Sequence, residues 1–188
     1  MKYKLVLIAL CMVSFAFGQR NYNISNYSLV IKGSSNLHDW ESPAKEVRAT
    51  GSFTFVSGVL KSLDALVVEI PVKSIKSPKG SIMDNKTYDA LNAGSYPNIN
   101  YKLAKVGTLS RKSDGSYDIS TSGYLTIAGV TNMVDITVRG TTGADGSITF
   151  SGSKKLKMTD YKIKPPTALL GTLTTGDDVE IVFQVTLK

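Results

Sequence analysis

Apolar and polar residues alternate with a period of two along most of the chain. In "LVVEIPV", residues 66–72, the apolar side is formed by Leu66, Val68, Ile70 and Val72. Successive side chains of a strand point to opposite faces, so this pattern predicts strands with one buried face. The same alternation is found in three further stretches of the first half, residues 28–32, 47–55 and 99–106.

The second half of the chain continues the alternation. It occurs in residues 117–129, 134–140, 147–158 and 178–187. Turn-forming sequences separate these stretches and those of the first half, namely "SGVLKS", "SDGS", "AGVTN", "TGADGS" and "TTGDD". Strands of this length with such turns between them predict an all-β domain of about eight antiparallel strands.

One segment departs from the pattern and favours a helix. "SIMDNKTYDALNAGSYPN" covers residues 81–98 and has Ser81 three residues before Asp84, which resembles a capping box. Gly94 provides a natural stop. The segment therefore predicts one helix of roughly two to three turns.

About eight strands and one helix can form a sandwich or a closed barrel, and a barrel removes the exposed sheet edges. An eight-stranded barrel leaves an interior that fits side chains or one small ligand. The faces opposite the apolar ones carry charges such as Lys102, Asp135 and Arg139. These polar outer faces argue against a membrane-spanning barrel, and the chain is expected to form a single domain.

The first residues predict a secretory signal peptide over residues 1–18, with a single domain over 19–188. Lys2 and Lys4 precede an apolar run, and small residues follow it up to Gly18. The run is too short for a membrane span of about 20 residues. Cys11 is preceded by a leucine and lies within the apolar run, which favours simple cleavage over lipid attachment. The expected location is the periplasm, or outside the cell if the protein is secreted.

Charge and cysteine content narrow the function further. The net charge of +7 falls to +5 when Lys2 and Lys4 are removed, and the remaining basic residues are scattered. Scattered lysines are typical of solvated strand faces, so nucleic acid is not an expected partner. Cleavage also removes the only cysteine, so the mature chain has neither a disulfide nor a thiol ligand.

The stretch "GSSNLHDWES", residues 33–42, contains the only histidine, His38, and the only tryptophan, Trp40. A hydrolase would need a third group to orient the imidazole. Asp39 is badly placed for that role, since adjacent strand residues point to opposite faces. We expect His38 to make a structural hydrogen bond and Trp40 to pack near one end of the barrel.

Metal binding is not expected, because one histidine without cysteine leaves mainly carboxylates as ligands. Asp177 and Asp178 lack the spacing of a calcium loop, and "GDD" there predicts a turn.

The segment "KIKPPTALLGTLTTGD", residues 162–177, contains apolar residues without alternation. It is either a loop packed on the barrel or the mouth of an apolar cavity.

Four blocks of the sequence resemble the YceI-like family of exported lipid- and polyisoprenoid-binding proteins. They are "GSFTFVSGVLKS", "MDNKTYDALNAGSYPNINYKL", "GYLTIAGVTNMVDITV", and "KMTDYKIKPP" with the later "GDDVEIVFQV". The blocks follow one another in the family's order, and the resemblance covers roughly residues 28–188. It implies an elongated antiparallel barrel, lipocalin-like in outline, whose interior holds an isoprenoid, quinone or fatty-acid-like tail.

Applied to this chain, the resemblance predicts that one long apolar molecule binds between the inward strand faces. The expected interior contacts are Phe53, Phe55, Val68, Ile70, Tyr101, Leu103, Ile127, Ile136 and Phe183. Residues expected near a mouth are Met83, Leu91 and Leu169, with Tyr88, Asp84 or His38 meeting the head group. No cofactor is expected.

Three functions remain open from the sequence. The first is a carrier for an amphiphilic lipid or isoprenoid, acting as a monomer or homodimer. The second is a structural or interaction protein whose barrel is filled with side chains. The third is a hydrolase that uses His38, although we expect the protein not to be an enzyme and predict no catalytic residue.

Overall fold

Long antiparallel strands account for most of residues 18–168 and 171–188, the residues that the structure, a computed structural model, describes. In this part of the chain the strands are β1 (Gly18–Ser35), β2 (Trp40–Pro43), β3 (Arg48–Val56), β4 (Val59–Pro71), β5 (Asn98–Arg111), β6 (Tyr117–Ile127), β7 (Val130–Thr142), β8 (Ile148–Lys157), β9 (Thr167–Ala168) and β10 (Leu173–Leu187). One α-helix, α1 (Ser81–Ala90), lies between β4 and β5.

Eight of these strands close into an antiparallel barrel, as the resemblance to the YceI-like family implied; the alternation alone left a sandwich open. Their order is β1-β3-β4-β5-β6-β7-β8-β10, and β10 pairs back onto β1. The closing register places Leu29 opposite Phe183 and Ile31 opposite Ile181. The two short strands lie outside this ring, β2 beside β1 and β9 beside β10.

The β6–β7 hairpin shows how the sequence specifies the register. Ile127 pairs with Val130, so only two residues form the loop. These are Ala128 and Gly129, both at positive φ (48° and 79°), which is the geometry of a type I′ turn. A two-residue turn fixes the pairing, and every odd residue of β6 is thereby directed inward and buried.

One end of the barrel is packed with side chains, and we call it the packed end. It contains the β3–β4, β5–β6 and β7–β8 connections. Phe53, Ile119, Ile148 and Leu187 have no exposed surface there. The hydroxyl of Tyr117 is also buried, and it accepts a hydrogen bond from the Leu60 N–H at 3.0 Å. A buried polar group satisfied in this way adds no desolvation penalty to the core.

The other end, the helix end, is covered by α1, by the β1–β2 hairpin and by residues 158–168. Its core cluster includes Leu29, Ile70, Ile99 and Val179, which are buried. Many neighbours in the cluster are only partly buried, among them Ile31, Trp40, Leu91, Leu156 and Ile181. Val68 packs against both this cluster and that of the packed end, so it marks the boundary between the two halves.

The predicted helix is confirmed, but both of its predicted ends are wrong. Its N-cap is Gly80, which makes no side-chain cap, and Ser81 is already inside the helix. At the other end Asn92 takes positive φ (48°), and Ala93 N–H bonds to Tyr88 O at 2.9 Å. This is a Schellman motif with asparagine in the position that the sequence suggested for Gly94.

The "GDD" sequence does not form the predicted turn. It lies within β10, where Gly33 pairs with Val179 and Ser35 with Thr175. Three residues of β10 therefore face one of β1, and the strand bulges. Asp177 accepts hydrogen bonds from both the N–H and the hydroxyl of Thr159, at 2.9 and 2.6 Å. The bulge thus attaches the start of β10 to the turn that follows β8.

Candidate ligand-binding cavity

A cavity of about 400 Å³ occupies the helix end of the barrel. It lies among the strand ends, α1 and the 158–168 segment, and its wall is mainly apolar. The apolar lining consists of Ile31, Trp40, Ile75, Met83, Ala90, Leu91, Ile99, Ile127, Leu156, Met158, Ile163, Pro166, Leu173, Val179 and Ile181. Its size and lining are typical of sites for small apolar molecules.

One face of α1 forms a wall of the cavity. Met83, Thr87, Ala90 and Leu91 line it. Their spacing of four, seven and eight residues from Met83 places them on one side of a helix. Ile82, Asn85 and Asp89 point away and are exposed. The helix therefore presents its less polar side to the barrel, although its amphipathic character is weak.

The helix is attached to the segment before it by Tyr88 and Asp84. The Tyr88 hydroxyl lies 2.9 Å from Lys73 O and accepts a hydrogen bond from Lys76 Nζ at 2.6 Å. Asp84 is buried, and its carboxylate accepts the Ser77 N–H at 2.7 Å and lies 3.3 Å from Lys76 Nζ. The hydrogen bond to Tyr88, with a smaller contribution from Asp84, raises the pKa of Lys76 above its ordinary value.

This network changes the expected role of two residues. Tyr88 and Asp84 are candidates for contact with a head group in the sequence analysis, yet neither lines the cavity. Their polar atoms are engaged with main-chain groups of residues 73–77. Their arrangement fixes the position of α1 over the barrel, and so controls the shape of the cavity wall.

The polar side of the cavity is basic. Lys79 and Lys86 both line it, together with His38 and several hydroxyl groups. Lys79 and His38 are exposed, which places them where the cavity opens to solvent. Lys86 is partly buried and donates a hydrogen bond to Thr167 O at 3.0 Å, across the gap between α1 and β9.

The hairpin that contains His38 is held by main-chain contacts. Ser35 Oγ donates to His38 O at 2.8 Å and accepts the His38 N–H at 3.1 Å. The imidazole itself has no hydrogen bond to the part of the chain that the structure describes, so the structural hydrogen bonds expected of His38 come from its main chain and not from its side chain. Asp39 lines a separate groove with charged residues such as Lys155 and Asp178, and Trp40 borders both this groove and the cavity. His38 and Asp39 lie in the connection between β1 and β2 rather than on a strand, so the strand argument does not apply to them; Asp39 nevertheless does not line the cavity with His38.

Trp40 lies at the end of the barrel, as expected. Its indole Nε1 donates to Ser34 O at 3.0 Å, and its ring lines the cavity.

Tyr101 points into the barrel, where its hydroxyl is 3.4 Å from Thr121 Oγ1. Burial raises the pKa of Tyr101 above its ordinary value.

The structure divides the residues predicted to contact a ligand into separate groups. Three line the cavity: Met83, Leu91 and Ile127. Four belong to or pack against the helix-end cluster: Ile70, Tyr88, Tyr101 and Phe183. Three belong to or pack against the packed-end cluster: Phe53, Phe55 and Leu103. Val68 lies at the boundary, Ile136 faces inward opposite Thr121, and Leu169 is outside the described residues.

Several cavity residues were not predicted as contacts, although the alternation contained the signal for them. Ile31, Leu156 and Ile181 each lie on the apolar side of a predicted strand, and all three line the cavity. Ile163 and Pro166 come from the irregular 162–177 segment, which is consistent with the mouth hypothesis for that segment. Among residues 18–168 and 171–188, no group of three or more potential ligands could hold a metal ion.

The closed eight-stranded barrel with an internal apolar cavity defines the class of lipocalin-like barrels. Residues 32–187 match the YceI-like domain, and the chain belongs to the YceI-like family. No curated protein sequence matches the chain. Within the described residues, no helix combines the length and apolar character needed to cross a membrane.

Solved structures share the fold at low sequence identity. BcnA of Burkholderia cenocepacia is 17% identical, with a TM-score of 0.68 over 85% of this chain and 95% of BcnA. A polyisoprenoid-binding domain of Saccharophagus degradans, implicated in plant cell wall breakdown, is 13% identical, with a TM-score of 0.67 over 93% and 99%. The YceI protein of Campylobacter jejuni is 24% identical, with a TM-score of 0.59 over 99% and 97%.

Proposed function

We propose that this protein is a binding or carrier protein for one amphiphilic molecule, whose apolar tail occupies the cavity at the helix end. The tail would be polyisoprenoid, quinone or fatty-acid-like. The observation that supports this proposal is the difference between the two halves of one barrel. The same alternating strands are packed tightly around Phe53 and Ile119 but leave about 400 Å³ open beneath α1.

Chemistry of the wall supports the same conclusion. Each methylene transferred from water to such a wall contributes about 0.8 kcal/mol, which is enough for several to offset the cost of immobilising a flexible tail. The similar domain of Saccharophagus degradans is a polyisoprenoid-binding domain, which is consistent with a tail of this kind. A filled structural barrel is not favoured, since the helix end is not filled.

The test is to fill the cavity from α1. Ala90 lines the cavity, and its small side chain leaves room that a tryptophan would occupy. Ala90→Trp should abolish binding and leave the fold intact. Asp89→Trp, one residue away on the exposed side of the helix, is the matched control and should bind like wild type.

Binding is measured by native mass spectrometry and lipid extraction of the mature protein purified from its host. Wild type and Asp89→Trp should carry an apolar molecule, and Ala90→Trp should not. The proposal fails if wild type emerges empty and neither fatty-acyl nor isoprenoid ligands raise its melting temperature.

Export to the periplasm is part of the proposal. Residues 1–17 are outside the described part of the chain, so the support is the basic and apolar pattern of the sequence. The mature protein would begin at Gln19, without lipid on Cys11. Intact mass from the native host decides this, since retention of Cys11 with added acyl mass would contradict it.

A further inference from the structure

The two lysines of the cavity are placed to meet a charged group. Lys86 is held by its bond to Thr167 O, which uses one of the three donors of its ammonium. Two donors remain available to a ligand. Lys79 lies on the same cavity and is exposed at the mouth.

The acidic side chains that the structure describes do not pair with these lysines. None of the residues that line the cavity is aspartate or glutamate. Within residues 18–168 and 171–188, neither Lys79 nor Lys86 forms an ion pair. Asp84, the buried acid of α1, is engaged by Lys76 and by the Ser77 N–H. The opening of an apolar cavity therefore carries uncompensated positive charge.

The floor of the cavity limits the length of a tail. Below the boundary at Val68, the barrel interior contains Phe53, Ile119 and Ile148, which have no exposed surface. The ring of Phe53 packs against the main chain of Gly51, and its neighbours include the rings of Tyr22 and Phe150. A tail that reaches this layer cannot continue without displacing closely packed aromatic rings.

Resting on the proposed carrier function, we infer that the ligand is a single-tailed anionic amphiphile. Its carboxylate or phosphate head contacts Lys79 and Lys86, and its tail is short enough to end at the packed half of the barrel. This assignment selects fatty-acid-like or short prenyl phosphate molecules over quinones and long polyisoprenoids. The head is recognised by charge and the tail by cavity length.

The head-group test uses Trp40, the only tryptophan of the chain, as an internal fluorescence probe because its ring lines the cavity. Delipidated protein is titrated with dodecanoate, dodecyl phosphate and the neutral dodecanol, each below its critical micelle concentration. The variant is Lys79→Met/Lys86→Met, which keeps two apolar stems and removes both charges. The control is Lys61→Met/Lys102→Met, which removes two exposed charges away from the cavity.

We expect the cavity variant to lose about tenfold in affinity for the two anionic ligands, the effect of a lost charge-assisted hydrogen bond. Its affinity for dodecanol should be unchanged, and the control should bind all three ligands like wild type. Lys79→Met alone, at an exposed residue, keeps the test valid if loss of Lys86 disturbs the mouth. Inorganic phosphate should not compete, because a free anion lacks the tail.

The length test compares saturated carboxylates of increasing chain length. Affinity should rise about fourfold with each methylene and then stop rising once the tail fills the helix end. Equal affinity for dodecanol and dodecanoate in wild type, with no effect of the lysine substitutions, overturns the head-group assignment but leaves the carrier function intact. Affinity that keeps rising with chain length would overturn the proposed limit on tail length. Failure of all these ligands to bind counts against the carrier function itself.

Discussion

The indole of Trp40 packs over Gly33, its partner in the β1–β2 ladder. A Cβ atom at position 33 would overlap the indole ring. The absence of a side chain at Gly33 therefore makes room for the indole of Trp40. Since Trp40 lines the cavity, Gly33 shapes the cavity wall without contacting its interior.

Substitution of Gly33 by alanine should force the indole out of its place. Overpacking of this kind costs about 1–3 kcal/mol, and denaturant unfolding followed by Trp40 fluorescence measures it. Gly94→Ala is the control, because a Cβ there meets no atom within 4 Å. A free energy of unfolding for Gly33→Ala equal to that of Gly94→Ala would show that the indole moves at no cost.

The two halves of the barrel should respond differently to truncation. Ile119 has no exposed surface at the packed end. Its replacement by alanine should lower the free energy of unfolding by about 2–5 kcal/mol. Ligand affinity should be retained, since Ile119 does not line the cavity.

Leu91→Ala is the counterpart at the helix end. Leu91 is partly buried and lines the cavity, so its loss should cost less than about 2 kcal/mol of stability. It should weaken binding by about tenfold, the equivalent of one to two methylene contacts. Denaturant melts of delipidated protein and ligand titrations measure the two quantities. Equal effects of both variants on affinity would contradict the division of the barrel.

Tyr88 should prove structural. Tyr88→Phe removes the hydroxyl that joins α1 to Lys73 O, a loss of about 0.5–1.5 kcal/mol. Because Tyr88 does not line the cavity, it can affect binding only indirectly, through the position of α1. Ligand affinity should therefore change by less than about threefold, which corresponds to a change of a few tenths of a kcal/mol in binding free energy. A selective loss of affinity without loss of stability would restore Tyr88 as a contact of the head group.

Asp177 should make stability depend on acidic pH. The hydroxyl and N–H of Thr159 hold its pKa below the ordinary value. A carboxyl group whose pKa is lowered on folding stabilises the fold above its unfolded pKa of about 3.9. That contribution disappears as the pH falls through the folded value.

Wild type and Asp177→Asn should therefore differ in free energy of unfolding at about pH 6. This difference should shrink as the pH falls below the ordinary pKa of an aspartate. Asp178→Asn, at the next residue, is the control. Denaturant unfolding over a pH series measures the difference. A gap that stays constant down to the most acidic pH would show that the Thr159 contacts do not depend on charge.

The sequence pattern predicted the strands and their buried faces because alternation is a local property. Each strand contains its own inward set, such as Ile119 and Ile127 on β6, and turns such as Ala128–Gly129 fix the register. Closure does not follow from the number of strands, since about eight strands also form sandwiches; the resemblance to the YceI-like family implied it. The helix was equally visible, although the positive φ of Gly80 and Asn92 moved its ends.

The location of the cavity could not be predicted in the same way. Phe53 and Phe183 occupy equivalent inward positions in their strands, yet Phe53 is fully buried at one end and Phe183 is partly buried at the other. Which end is filled depends on the combined volume of side chains from eight strands. Tyr88 illustrates the same limit, since its partner Lys73 O lies outside the helix and no spacing rule indicates the contact.

The pairing of β1 with β10 joins the two ends of the described chain. Ile31 and Ile181, which are opposite each other in this ladder, both line the cavity. Contacts so distant in sequence form slowly, and the wall on this side is incomplete until β10 has paired with β1. A chain in which this pairing has not formed therefore lacks a complete cavity, so closure of the barrel precedes formation of the candidate site.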